Sequence, residues 1–273
     1  MSETGSIFSP LPESQEWGLF CASSYQCEQT TICCKKEQVI AELISSLRFI
    51  EQIITIFGFK AQWILVIGRV KSPKNRQERE AIEWLKHAFQ ESGCCIPLVP
   101  DLCEELEGET PRLELRISDA IGRGWAVSTI RVLTGAGAEN VQDARVVFTR
   151  SVFGSVERFV GLLLEHYEGN LPFWLVPEQV RVFAVGEANG DYALAVGQRL
   201  KHEGLRVKVD LRQSKLGGRI HEAELENIPY LLIVGEQERL KHKINVREAG
   251  KSNDNHLVDL ETFVTNVSKS RTV

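Results

Sequence analysis

The sequence predicts an α+β domain built on an antiparallel sheet, followed by a smaller α/β domain with a mixed sheet. Leu113-Glu114-Leu115-Arg116-Ile117 and much of Trp125–Leu133 alternate apolar and polar residues on either side of Asp119-Ala120-Ile121-Gly122. That is the pattern of two antiparallel strands joined by a tight turn. From Val39 to Phe57 apolar residues recur at three- and four-residue steps, which lays one broad stripe along a helix. After Gly169-Asn170-Leu171-Pro172, strand and helix patterns alternate instead, the order of parallel strands linked by crossover helices.

Residues 1–16, rich in Ser, Pro and Glu, read as a loose start ahead of a first domain over 17–170. The helical stripe of Val39, Ile40, Leu43, Ile44, Leu47, Ile50, Ile53, Ile54 and Phe57 stops at Gly58, and Trp63–Ile67 follows as a buried strand. A second helix over about 78–92 buries Ile82, Leu85 and Phe89 and ends at Gly93. The alternating hairpin is expected to bury one face, and Val146–Phe148 adds a strand before a helix over Ser155–His166. The linker falls near 168–176. The second domain, 171–273, reads as strand Val180–Val185, helix Tyr192–His202, strand Leu205–Val209, helix Leu216–Leu225 and strand Tyr230–Val234. A hairpin across Glu238 to Arg247 and a helix near Leu260–Val267 close it.

The chain's 273 residues suit two globular units, and a 43% apolar content supports packed cores rather than disorder. The net charge is −5, but residues 171–273 carry 15 Lys and Arg against 14 Asp and Glu. No wholesale basic surface announces nucleic acid, so any RNA contact is local and no DNA partner is expected. The apolar runs fall far short of a membrane span, and Glu3, Glu13 and Glu16 stand where a secretory leader needs basic and then apolar residues. A cytoplasmic protein with no membrane partner is expected. Seven cysteines form an odd set without a CxxC pair, so they read as reduced thiols rather than a disulfide framework or zinc ribbon.

Gly154-Ser155-Val156-Glu157-Arg158-Phe159, followed by the apolar run Val160–Leu164, resembles the signature that closes the active site of class II aminoacyl-tRNA synthetases. Trp174-Leu175-Val176-Pro177-Glu178-Gln179-Val180, Val209-Asp210-Leu211-Arg212, Lys215-Leu216-Gly217, Ile228-Pro229-Tyr230-Leu231 and Val234-Gly235 are similar to the C-terminal anticodon-binding domain of bacterial threonyl-tRNA synthetase. The resemblance implies a class II synthetase-like α+β domain followed by an anticodon-binding α/β domain, with the tRNA anticodon stem-loop as partner. The family's base-recognising Glu and Arg fall on Glu238 and Arg247, while an Asn is replaced by Gln213 and an Arg by Asn227. An Arg offers a planar fork of donors, and a carboxylate accepts from exposed base amino groups. Arg212 and Lys215 join them as candidates for phosphate contact. Without the resemblance, the same charges on a hairpin and loop read as solvated surface.

The catalytic half of the resemblance departs from the family. The arginine that grips the ATP α-phosphate falls on Ser9 and a second arginine on Cys21; the two zinc histidines fall on Thr31 and Thr149. A tyrosine of the amino acid pocket falls near Glu109, and glutamines fall on Ala126 and Arg131. The resemblance places the chain's start inside the ATP-binding hairpin, without the segment that brings the dimer interface and the first zinc cysteine. Hydroxyls replace neither a bidentate cation nor imidazole ligands, so zinc and ATP–Mg are expected to be lost, with no catalytic or metal-ligating residue assigned. Ser155 and Arg158 remain as the remnant of a nucleotide site, although Ser155 also suits a helix N-cap and Glu157 the first-turn dipole. Three functions follow: a non-catalytic, synthetase-like protein binding threonine tRNA, in a regulatory role or otherwise; a threonine–tRNA ligase completed by a partner chain; or a protein-interaction subunit, partnered for instance by another synthetase, that has lost RNA binding.

Overall fold

The computed structural model of the chain describes residues 1–8, 18–67, 76–99, 111–133, 145–249 and 256–269. They divide into two units, Met1–His166 and Tyr167–Val273. In the first, strands β1 (Ser2–Phe8), β2 (Ser24–Lys35), β3 (Ala61–Val66), β4 (Leu98–Val99), β5 (Arg112–Ser118), β6 (Gly124–Val132) and β7 (Arg145–Ser151) form one sheet in the order β1-β2-β7-β6-β5-β3-β4. Every neighbouring pair is antiparallel except β3 and β4. Helices α1 (Val39–Ile56) and α2 (Arg76–Ser92) pack on each other, and α3 (Val156–His166) packs along β2. Leu43, Leu47, Ile50 and Ile54 of α1 are fully buried, as their spacing requires, and each contributes roughly 1.5–3 kcal/mol by leaving water.

Two expectations for this unit are corrected. The loose start holds a strand: β1 pairs with β2 from Ser2 opposite Thr30 to Phe8 opposite Ser24. Every residue of β1 is exposed, so it has no buried stripe to read, and it is held by its ladder to β2 together with side-chain hydrogen bonds between Ser2 and Thr30 and from Gln26 to Ser6. The hairpin of β5 and β6 forms as expected, but β5 is buried on both faces. On its polar face Glu114 receives Arg112 Nε at 2.7 Å and Arg116 Nη2 at 2.7 Å, and mutual pairing lets these charges leave water. The turn is tied by Asp119, whose carboxylate accepts the backbone N–H groups of Ile121 and Arg123 and the Trp125 indole. Burial opposes ionisation there, but the bonds from Trp125 and Arg123 prevail and hold the Asp119 carboxyl down to about 2.

The second unit contains β8 (Val180–Ala184), α4 (Gly190–His202), β9 (Val207–Asp210), α5 (Leu216–Leu225), β10 (Tyr230–Val234), α6 (Glu236–Lys241), β11 (Lys243–Glu248), β12 (His256–Asp259) and α7 (Leu260–Lys269). The strands are ordered β12-β11-β10-β8-β9; β10, β8 and β9 run parallel, and β11 and β12 are antiparallel, making the expected mixed sheet. Val180, Val182, Leu232, Val234, Ile244 and Val246 bury one face in a cluster with residues of α4 and α7. Phe183 and Leu231 bury part of the other against Ile220 and Ala223 of α5. The late hairpin lies further along than the sequence pattern suggests: it is β11–β12, and Glu238 belongs to helix α6. Residues expected as linker are held to this unit, since Arg206 donates to the carbonyls of Trp174 and Val176, each at 2.8 Å. Among the described residues no helix is long and apolar enough to cross a membrane.

Candidate nucleic-acid interface

The sites singled out in the second unit lie at two ends of its sheet. Arg212, Gln213 and Lys215 occupy the loop that leaves the C-terminal end of β9, and Glu238 lies just beyond the C-terminal end of β10. Glu238 Oε2 accepts the Gly235 N–H at 2.9 Å, a capping contact that occupies one oxygen and leaves Oε1 for other donors. Burial and then the Glu238 charge raise the Tyr192 hydroxyl's pKa, which places that carboxylate near the first turn of α4. Arg247 stands elsewhere. It pairs with Leu231, three residues before the end of β10, roughly 10 Å back along the strand. Alternation turns it to the α5 side of the sheet, where its Nη2 lies 2.6 Å from Glu224 Oε1.

Electrostatics separates the cations. Arg212 bonds Asp210 and Glu222, each at 2.7 Å from Nη2, and these bonds raise its pKa. Asp210 also faces the buried Arg219 at 3.4 Å, and the bonds from Arg212 outweigh its burial to depress its pKa. Gln213 is exposed and donates to the Leu211 carbonyl at 3.2 Å. Lys215, exposed at the start of α5, forms no ion pair among the described residues. Asn227 occupies a left-handed backbone position (φ 52°) just past α5, a site that favours Asn over the family's Arg on local grounds. The sequence pattern gave no reason to single out Asn245. It lies between Lys243 and Arg247 on the α5 side of β11, with a buried Oδ1 that has no hydrogen-bond partner among the described residues. Alternation along β11 puts these three on one face, and the ladder register shows that it is the α5 side.

In the first unit, Ser155, Glu157 and Arg158 brace α3 against its neighbours. Ser155 Oγ accepts the Arg158 N–H at 3.2 Å, and both Glu157 oxygens accept the Gln26 N–H of β2 at 3.0 Å. The Arg158 guanidinium stacks over Trp125, 5.0 Å from the ring centroid, and donates to the carbonyls of Phe20 at 2.7 Å and Ala126 at 3.3 Å. Gly154 has φ +56°, and a Cβ there would meet the Val127 carbonyl oxygen at 2.9 Å, so only glycine lets the chain turn this close to β6.

These residues border a cleft of about 350 Å³ whose lining includes Gln29, Thr129, Arg131, Thr149 and Arg158. Thr31 and Thr149 stand directly opposite each other on β2 and β7. Two neutral hydroxyls facing one another do not fit zinc, which takes imidazole, thiolate or carboxylate. Cys33 shares the face of Thr31 by alternation, whereas Cys34 is buried on the other and points its Sγ toward the Val146 carbonyl. Among the described residues no group of three His, Cys, Asp or Glu could hold a metal ion. Ser9 and Glu109 lie outside the described residues.

Comparisons with known proteins agree with this architecture. A family described as "Anticodon binding domain" matches residues 179–270. A threonine–tRNA ligase of Polaromonas naphthalenivorans is 32% identical over 250 residues, covering 87% of this chain and 38% of that protein. One of Clostridium tetani is 32% identical over 263 residues, covering 92% and 40%. The chain thus spans about two fifths of the curated relatives it matches. The crystal structure of the RNA binding domain of threonyl-tRNA synthetase from Cryptosporidium parvum Iowa II superposes with a TM-score of 0.80 at 26% identity, covering 97% of this chain and 69% of that one.

Proposed function

Because this chain belongs to the class II threonyl-tRNA synthetase family, we propose that its second unit binds tRNA through the anticodon stem-loop, a threonine tRNA being the first candidate. The observation that carries this reading is the retention of Glu238 on α6 and Arg247 on β11, each half-buried, in a unit whose residues 179–270 match an anticodon-binding family. Arg247 supplies a planar donor fork and Glu238 a free carboxylate oxygen, the two chemistries that read unstacked bases. Lys215 adds a phosphate contact at the end of the sheet where Glu238 lies.

In this proposal the first unit does not activate threonine. Thr31 and Thr149 lack metal-binding groups, and Arg158 spends its guanidinium on Phe20, Ala126 and Trp125. Adenylation needs charge stabilisation worth several kcal/mol at the phosphate and at the carbonyl, which these side chains do not provide. The role is then tRNA capture or sensing. Fluorescence anisotropy with labelled threonine tRNA tests the first part: binding weakened by Glu238→Ala and by Arg247→Ala is expected, and equal affinity for unrelated tRNAs would count against anticodon reading. Threonine-dependent ATP–pyrophosphate exchange above the level of a protein-free control would sink the second.

A protein-docking role has its own support, since the carboxylates of Glu224, Asp210 and Glu222 already neutralise Arg247 and Arg212. Absence of any tRNA binding at low salt would favour it.

A further inference from the structure

The cleft of the first unit, bordered by Gly154, Ser155 and Arg158 of the signature, also holds Arg131, which neither tRNA binding nor that signature uses. Its thirteen lining residues include two arginines, Arg131 and Arg158, and no Asp or Glu, in a chain whose net charge is −5. The sheet register explains how this arises. Arg112 of β5, Arg131 of β6, Thr149 of β7 and Thr31 of β2 stand opposite one another in a single row across four strands. Directly opposed like charges are unfavourable, and Glu114, the nearby carboxylate, is shared between Arg112 and Arg116. Arg131 is solvent-accessible and has no ion pair or hydrogen bond among the described residues. Partial desolvation and then the Arg112 charge lower the pKa of its guanidinium, with Glu114 opposing. The hydroxyls of Thr129 and Thr149, which also line the cleft, make no hydrogen bond among the described residues. Ser151 does not join them, because its hydroxyl donates to Glu28 at 2.8 Å.

We propose that this cleft is an oxyanion site, in which Arg131 holds the carboxylate or phosphate of a small molecule with the hydroxyls of Thr129 and Thr149 as flanking donors. A guanidinium fork matches either group, and about 350 Å³ lies within the range of small-ligand pockets. An anion there also relieves the repulsion between Arg112 and Arg131.

The test is calorimetric titration of the full chain at low ionic strength with inorganic phosphate and, separately, succinate. Saturable binding of at least one is expected, weakened about tenfold or more in Arg131→Gln, which keeps a polar side chain of similar length, and unchanged in Lys208→Gln, an exposed cation of the other unit. Circular dichroism of Arg131→Gln checks that the fold is retained, and Thr149→Val is expected to weaken binding by a smaller factor. Tighter binding of phosphate assigns a phosphorylated ligand, and tighter binding of succinate a carboxylic acid; either supports the site. No saturable binding of either anion, an affinity unaltered by Arg131→Gln, or a loss produced instead by Lys208→Gln overturns it.

Discussion

The guanidinium of Arg247 on β11 lies 2.6 Å from the carboxylate of Glu224 on α5, although 23 positions separate them in the chain. The pair is partly exposed on both sides, so it is worth little to stability, but it competes directly with any base or phosphate that Arg247 would contact. Glu224→Gln is therefore expected to tighten tRNA binding several-fold, and Arg247→Ala to weaken it by about 1–3 kcal/mol, both read by anisotropy at fixed salt. A Glu224→Gln variant with weaker binding would show that the pair orients Arg247 rather than masking it.

The salt dependence of tRNA binding should be shallow. Lys215 is a candidate cation without an ion pair among the described residues, whereas Arg212 and Arg247 are already neutralised. Each phosphate contact contributes a slope of about −0.7 to −0.9 in log affinity against log salt, so a total near −1 to −3 is expected. Lys215→Ala should reduce it by about one contact. A slope unchanged by that substitution removes Lys215 from the interface.

Gly154→Ala should destabilise the first unit by about 2 kcal/mol or more in urea unfolding. The positive φ alone costs roughly 1–2 kcal/mol for alanine, and the added Cβ meets a backbone oxygen that cannot rotate aside. Gly5, with open space around it and no positive φ, is the matched control, and Gly5→Ala should change little.

Asp119 gives a pH signature. Its pKa is depressed from an ordinary 3.8 to about 2, so the unfolded chain takes up its proton first as pH falls. The stabilising contribution is complete above about pH 4 and is lost as the pH drops toward 2. Asp119→Asn should cost on the order of 1–3 kcal/mol at pH 7, and the difference from wild type should shrink between pH 4 and 2. A difference constant across that window would mean the carboxylate charge plays no part.

Much of the fold was legible because it is written in local periodicity. The stripe from Val39 to Phe57 became α1, the alternation on either side of Asp119 became β5 and β6, and the strand–helix alternation after Pro172 became the mixed sheet. β1 was not legible: its exposed residues, polar up to the apolar Ile7 and Phe8, carry no period, and its pairing is with β2. The helical setting of Glu238 was also missed, since six residues of α6, none of them buried, are too few to display a stripe.

By itself the sequence determined the two-part architecture, its family and the residue types at each inherited position, because periodicity and motif order are properties of neighbours along the chain. Tertiary structure alone decided which charges remain available. The pairing of Arg247 with Glu224, the use of Arg158 as a brace, and the row that sets Arg131 beside Arg112 and Thr149 all join residues distant in sequence. Strand register and helix docking bring them together, and Coulomb and hydrogen-bond energies depend on the resulting distances rather than on composition.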